Sequence, residues 1–333
     1  MKAALLNQSS YQLEVSELET PKPGKGEVLV KLKTASINHH ELWSMQERSI
    51  ASQSAVIMGS DGAGEVVEVG PGVASRWIGK AIIINPSLNW GSNPRVQGPD
   101  YQILGFPRNG TFAEYISIPV EYIYEKPAHL DFDEASAIPL AGLTAYRALF
   151  TRGEFEKGSN VLITGIGGGA ALFVLQFAIA AGANAYVTSG SEEKIQMAVS
   201  MGARAGVNYK KSDWDKRLLM LAGGFDVIVD SAAGTGFAAL TELANPGARI
   251  VLFGRTAGKI PQLNPSIIFW KQLSIHGSSM GSDAEFKAML EFIDLKKMKP
   301  LVDTVFPLKN IQHAFEWMEA GKQFGKIIIR MDS

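Results

Sequence analysis

Residues 160–171 read Asn160-Val-Leu-Ile-Thr-Gly-Ile-Gly-Gly-Gly-Ala-Ala171. A short apolar strand runs into four glycines and then into the apolar helix Ala170–Ala181. Glycines let the backbone approach a pyrophosphate closely, and the free N–H groups of a first helical turn attract its charge. Two registers of the G-x-G-x-x-G/A fingerprint fit. One places Gly165, Gly167 and Ala170 at its fixed positions; the other is shifted by one and places Gly168 and Ala171, with Gly169 beside them. A glycine turn also occurs between a strand and a helix that bind nothing. Here the second β-type run, Ala185–Thr188, completes a βαβ unit of the expected size, so the stretch implies a dinucleotide binder.

At 333 residues one compact core is not expected, and two domains are. A net charge of −1 argues against nucleic acid or an anionic membrane as the main partner. The longest apolar run, Ala170–Ala183, is too short to span a bilayer. Met1–Leu6 carries one lysine and no extended apolar region, which implies a cytoplasmic location. There are no cysteines, so disulfides and thiolate chemistry are excluded, and structural zinc sites usually need several of them. Of five histidines only His39 and His40 are adjacent, and adjacent residues on a strand point opposite ways.

The chain has three textures. Residues 1–126 are β-rich, with runs at Val28–Ser36, Gly64–Val69, Ala81–Ile84 and Phe112–Ile118, and a polar excursion loop at Asn85–Gly110. Residues 127–263 alternate strand and helix, which indicates a doubly wound parallel sheet covered on both faces. Strands are expected at Val161–Thr164, Ala185–Thr188, Gly206–Tyr209, Phe225–Asp230 and Ala248–Gly254. Ser191, followed by two glutamates, supplies a cap and favourable charge for one of the helices. Residues 264–333 bring a strand near Gln272–Ser278, two helices, and a final strand, Lys326–Met331, able to return to the first sheet.

Several separated motifs together resemble the medium-chain dehydrogenase/reductase superfamily. They are Gly59-Ser-Asp-Gly-Ala-Gly-Glu-Val66, Gly110-Thr-Phe-Ala-Glu-Tyr115, Leu140-Ala-Gly-Leu-Thr-Ala-Tyr146, the glycine turn, Phe225-Asp-Val-Ile-Val-Asp230 with Val251-Leu-Phe-Gly254, and Phe324-Gly-Lys-Ile327. The resemblance covers essentially the full chain. It implies an α/β fold: a GroES-like β-rich catalytic domain (1–126 with 264–333) and a doubly wound, parallel-sheet Rossmann domain (127–263), with the nicotinamide in the cleft between them. It also implies a homodimer through strands near Ile267–Gly277.

The zinc-dependent members place Cys, a His-Glu pair and a further Cys at the metal. The matching positions here are Asn38, Ser60-Asp61 and Leu140, and Asn, Ser and Leu are not usual zinc ligands. The chain therefore resembles the zinc-independent branch of quinone oxidoreductases and enone reductases, and no metal is expected. A metal held by His39, His40, Glu41 and Asp61 is the alternative.

The second strand of the βαβ unit ends Val187-Thr-Ser-Gly-Ser191, with no acidic residue at its tip to bridge ribose hydroxyls. Ser189, Lys194 and Tyr209 suit a 2′-phosphate instead, so NADP(H) is the expected cofactor. Lys194 also reads as a solvated helix residue.

Further cofactor contacts are expected from Thr144, Gly167, Gly168, Gly169, Ala170, Ser231, Gly254, Arg255, Thr256 and Lys326. Catalytic candidates are Asn38, which suits a substrate oxygen, His40, which suits a proton relay, and Asp61 and Thr144, which match positions near the nicotinamide. Each has an ordinary structural role to set against this. Asn38 suits a turn, His40 a surface, Asp61 the backbone N–H groups between Gly59 and Gly62, and Thr144 its own helical turn.

The expected function is metal-free, NADPH-dependent reduction of a small-molecule substrate, a quinone or an α,β-unsaturated carbonyl, by hydride transfer. Metal-free alcohol dehydrogenase or aldehyde reductase activity, and a non-catalytic NADPH sensor, are the alternatives.

Overall fold

The computed structural model describes residues 1–7, 12–46 and 56–331. The sequence assigns substrate specificity chiefly to the loops Met45–Met58 and Asn85–Gly110, and the first of these lies in good part outside the described residues. The chain packs into two compact units, Met1–Ala141 with Gly281–Ser333, and Gly142–Met280.

In chain order the first unit opens with β1 (Lys2–Leu6), β2 (Leu13–Glu17), β3 (Glu27–Ser36) and helix α1 (His39–Gln46). There follow β4 (Asp61–Val69), β5 (Ala81–Ile84), the two-residue β6 (Ser87–Leu88) and β7 (Gln102–Ile103), β8 (Tyr115–Pro119), β9 (Ile123–Glu125) and α2 (Phe132–Ser136). Val28, Val30 and Leu32 alternate along β3 and are buried, against Ile82, Ile84, Ile116 and Ile118. The opposite face of β3 is covered as well, at Leu29 and Ala35. The excursion loop holds the β6–β7 pair.

Asp131 caps α2 in a capping box with Glu134. Asp131–Leu140 reads from the sequence as one helix; the structure holds two, since Pro139 lacks the N–H that would continue the first. It opens α3 (Pro139–Tyr146), which runs on as a π-helical turn, Arg147–Arg152.

The second unit carries β10 (Asn160–Ile163), α4 (Gly169–Ala181), β11 (Asn184–Ser189), α5 (Glu192–Ser200), β12 (Ala205–Asn208) and α6 (Trp214–Ala222). It continues with β13 (Phe225–Asp230), α7 (Phe237–Leu243), β14 (Ala244–Leu252), α8 (Pro265–Trp270) and β15 (Ser274–Gly277). Its six strands form one parallel sheet in the order β12-β11-β10-β13-β14-β15. The order reverses between β10 and β13, and ligands bind beyond the strand ends at such a switch point. The residues 264–277 extend this sheet rather than the first unit, and α2 instead packs with the first unit through Ser136, whose carbonyl accepts from Ser36 Oγ at 2.9 Å.

The chain then returns with α9 (Asp283–Lys296), β16 (Val302–Pro307), α10 (Ile311–Glu319) and β17 (Lys326–Arg330). Ser282 caps α9 in a second capping box, with Glu285. The first unit's large sheet runs β16-β17-β3-β4-β5-β9, with β8 also on β3. The last strand therefore does return to the first sheet, antiparallel to β3, with Ile328 opposite Ser36.

Candidate active site

Two clusters carry chemistry, one in each unit. The first forms where β3 ends, β4 begins and β17 begins. Asp61 is fully buried. Its Oδ2 accepts hydrogen bonds from Ser36 Oγ (2.8 Å), Asn38 Nδ2 (3.0 Å) and Lys326 Nζ (3.1 Å). Its Oδ1 accepts from the Leu140 N–H at 2.7 Å, and its carbonyl accepts from Thr111 Oγ1 at 2.7 Å. The ammonium of Lys326 also donates to the Ile37 carbonyl at 3.0 Å and to Asn38 Oδ1. All three of its protons are thereby spent within this unit.

Glu41, also buried, accepts from the backbone N–H groups of Asn38 (2.8 Å) and Ser60 (2.9 Å). Ser60 Oγ is buried with no hydrogen-bond partner among the described residues. Asn38, Asp61 and Lys326 are thus brought together. His40 is not among their partners, and its carbonyl accepts from Ser44 Oγ at 2.8 Å. Both histidines open a helix, not a strand. His39 is the histidine that feels the cluster: desolvation first, and then the charge of Lys326, hold its imidazole below the ordinary range.

The four positions matching a family zinc site do meet here, but the residues do not fit the ion. Leu140 offers no donor atom, Asn38 Oδ1 and both Asp61 oxygens are occupied, and an ammonium sits among them. A dication beside that ammonium is electrostatically opposed. Among the described residues, no three His, Cys, Asp or Glu side chains are placed to hold a metal.

The second cluster lies at the ends of β10, β11, β13 and β14. Gly165 and Gly167 adopt φ of 67° and 126°, a region that favours glycine. Gly168 caps α4 with φ −79° and no side-chain bond. A Cβ there would meet no chain atom within 4 Å. Gly169 and Ala170 form the first turn of α4. The backbone therefore leaves open space beside donor N–H groups, a cradle that fits a nucleotide diphosphate.

At the tip of β11, Ser189 Oγ donates to the Ile166 carbonyl (3.3 Å) and accepts from the Ser191 N–H (3.3 Å), tying this tip to the glycine turn. Ser191 caps α5 by accepting from the Lys194 N–H, as its place in the sequence implies. The Lys194 side chain lies over Gly167: a Cβ added to Gly167 would stand 2.7 Å from Lys194 Cδ. Tyr209 and Lys210 lie over Gly190 in the same way. Lys210 completes a basic tip that sequence reading credited to Lys194 alone.

Ser231 donates to Thr164 through Oγ (3.3 Å, to the carbonyl) and through N–H (3.2 Å, to Oγ1). Thr164 Oγ1 donates to Asp230 Oδ1 at 2.5 Å, and the Ala233 N–H donates to Oδ2 at 2.7 Å. Burial pushes the Asp230 carboxyl up against these lowering hydrogen bonds. Gly254 packs so tightly on the Ser231 carbonyl that a Cβ would come within 2.2 Å of it. Thr256 Oγ1 donates to that same carbonyl at 3.4 Å, while Arg255 is exposed. Thr144 lies apart from these contacts in α3, where its hydroxyl donates to the Met280 sulfur at 3.8 Å.

Comparison with known proteins agrees with this geometry. Residues 24–128 match the alcohol dehydrogenase GroES-like domain family, and residues 169–294 the zinc-binding dehydrogenase family. A zinc-type alcohol dehydrogenase-like protein of Leptosphaeria maculans is 37% identical over 352 residues, covering 99% of this chain and 98% of its own. The crystal structure of an NAD-dependent alcohol dehydrogenase superposes with a TM-score of 0.92 at 35% identity, covering 99% of this chain and 100% of that one. A crotonyl-CoA reductase of Streptomyces avermitilis is 26% identical over 360 residues, covering 95% of this chain and 81% of its own.

The chain belongs to the medium-chain dehydrogenase/reductase superfamily. As a member it is an NAD(P)-dependent oxidoreductase with a GroES-like unit and a Rossmann unit.

Proposed function

We propose that this protein reduces quinones or α,β-unsaturated carbonyl compounds with NADPH and without zinc. The observation that carries the reading is the Asp61–Lys326–Asn38 cluster, which fills with an ammonium and an amide the position where a metal-dependent relative needs ligands. When bound, the reduced nicotinamide supplies a hydride, and the electron pair displaced in the substrate collects on its oxygen. The first unit then needs only a hydrogen-bond donor for that oxygen, not a strong Lewis acid. Asn38 is that donor in this reading.

In the second unit Gly168, Gly169 and Ala170 hold the diphosphate with backbone N–H groups. Lys194, Lys210 and Tyr209 receive a 2′-phosphate. The absence of an acidic residue between Ser189 and Ser191 supports NADPH over NADH. The relative named a crotonyl-CoA reductase supports a conjugated carbonyl as substrate. Pairing of two copies through the exposed edge of β15 is part of the same reading.

The relatives named alcohol dehydrogenases favour a second reading, reversible oxidation of an alcohol by the same metal-free site. A steady-state panel separates the two. It sets cyclohexenone, a quinone, an aldehyde and a secondary alcohol against NADPH, NADH and their oxidised forms, before and after chelation. Turnover of enone or quinone with NADPH, unchanged by chelator, is expected. Activity confined to alcohols, or lost on chelation and restored by zinc, would overturn the proposal.

A further inference from the structure

Asn38 has an amide whose two ends are held by opposite charges. Its Oδ1 accepts from the Lys326 ammonium, and its Nδ2 donates to the Asp61 carboxylate at 3.0 Å. Turning the amide over would set Nδ2 against the ammonium and Oδ1 against the carboxylate. Both charge-assisted hydrogen bonds would become like-sign contacts in a buried setting, where such errors are costly. The amide therefore has one orientation. An amide nitrogen carries two N–H groups, and Asp61 takes one. The other has no partner among the described residues, and Asn38 keeps 7% of its surface exposed. Lys326, in contrast, has no proton left to give.

We propose that Lys326 is a positioning residue. Its ammonium, anchored by Asp61, locks the Asn38 amide so that the remaining Nδ2 N–H is the fixed donor to the substrate's carbonyl oxygen. The inference rests on the reading above that the protein reduces a carbonyl compound. It departs from the sequence-based expectation that Lys326 contacts the cofactor. A donor fixed in advance costs no reorganisation when charge develops on the oxygen, which is why its orientation matters to rate more than to binding. Addition of hydride to the β-carbon moves an electron pair through the double bond to that oxygen. Water then protonates the α-carbon and is left as hydroxide.

The test compares Asn38→Leu, Lys326→Met and the double variant with the wild type. The assays use NADPH with cyclohexenone, a quinone and an aldehyde, and NADPH affinity is measured separately by fluorescence. Asn38→Leu is expected to lower kcat by about 10²- to 10³-fold, the usual loss for one oxyanion donor. Lys326→Met is expected to lower kcat by at least about tenfold, with NADPH affinity held within about twofold. The double variant should be no slower than Asn38→Leu alone, because the lysine acts through the amide.

If Lys326→Met alone fails to fold, the neutral pair Asp61→Asn with Lys326→Met replaces it, and the same loss of kcat is expected. Multiplying losses in the double variant, unchanged kcat, or a selective loss of NADPH affinity would each overturn the inference. Reduction of the aldehyde alone would overturn the function read above, while the variants still decide the role of Lys326. Reduction of none of the three compounds overturns both.

Discussion

Lys326 Nζ stands 3.1 Å from Asp61 Oδ2, and both side chains are cut off from solvent. The two residues belong to strands at opposite ends of the sequence. Solvent-exposed ion pairs contribute little, but removing one partner of a buried pair is expensive because the other charge stays behind uncompensated. Asp61→Ala would leave the ammonium unpaired and take the acceptor from Ser36, Asn38 and the Leu140 N–H. A loss of about 3–5 kcal/mol is expected, read as a lowered urea midpoint for the first unit. An unchanged midpoint would refute the buried-pair account.

The glycine turn makes a paired prediction. Gly168→Val meets open space at an ordinary φ, so the fold should lose only about 1 kcal/mol, for the poorer helix cap. Nucleotide binding should nonetheless fall by an order of magnitude or more, since the new side chain occupies the diphosphate's place. Gly167→Ala puts a Cβ on a backbone at φ 126° and 2.7 Å from Lys194 Cδ, so both stability and binding should drop. Thermal melts and nucleotide titrations on the two variants distinguish space from strain. Full nucleotide affinity in Gly168→Val would place the diphosphate elsewhere.

Lys194→Ala and Lys210→Ala test the basic tip of β11. A hydrogen bond to a charged group contributes about 1.5–3 kcal/mol. Each variant should therefore weaken NADPH by roughly ten- to a hundredfold and NADH by far less, as read by calorimetry. Equal loss of both nucleotides would remove the phosphate role.

His39 gives the first unit a dependence on acid. Desolvation, and then the Lys326 charge, keep its folded-state affinity for a proton below that of the unfolded chain. The unfolded state therefore binds the extra proton first as pH falls below about 6.5, the ordinary imidazole value. Stability is full above that point and declines on acidification towards the depressed folded value. His39→Gln should flatten the change in melting temperature between about pH 7 and pH 5, the range below the ordinary imidazole value. The same slope in wild type and variant would show that other groups govern it.

The sequence disclosed most readily what is locally encoded. Glycine spacing, a strand before it and an apolar helix after it defined the cradle, and alternation of runs defined the parallel sheet. Helix α1 escaped notice because His39-His-Glu-Leu-Trp-Ser-Met-Gln46 shows no apolar stripe. Strand β16 escaped because all six of its residues are only half-buried and Asp303 interrupts its apolar pattern. The hub at Lys326 was out of reach for a different reason: its partner lies 265 residues away, and only the return of β17 to β3 brings them together. Lys210 needed the β11–β12 register, which stations it with Tyr209 over Gly190. Asp230 looked like the end of a strand, and only the fold reveals it as the clasp between Thr164 and Ala233.

The position of β17 between β16 and β3 has a bearing on synthesis. A ribosome delivers the parallel-sheet unit whole before it reaches residue 281, while the sheet begun by the first 141 residues waits for β16 and β17. The half-made sheet meanwhile offers β3 an unpaired edge. The lysine that holds Asn38 arrives on this returning strand, so the cluster around Asp61 closes only after the parallel-sheet unit has been made.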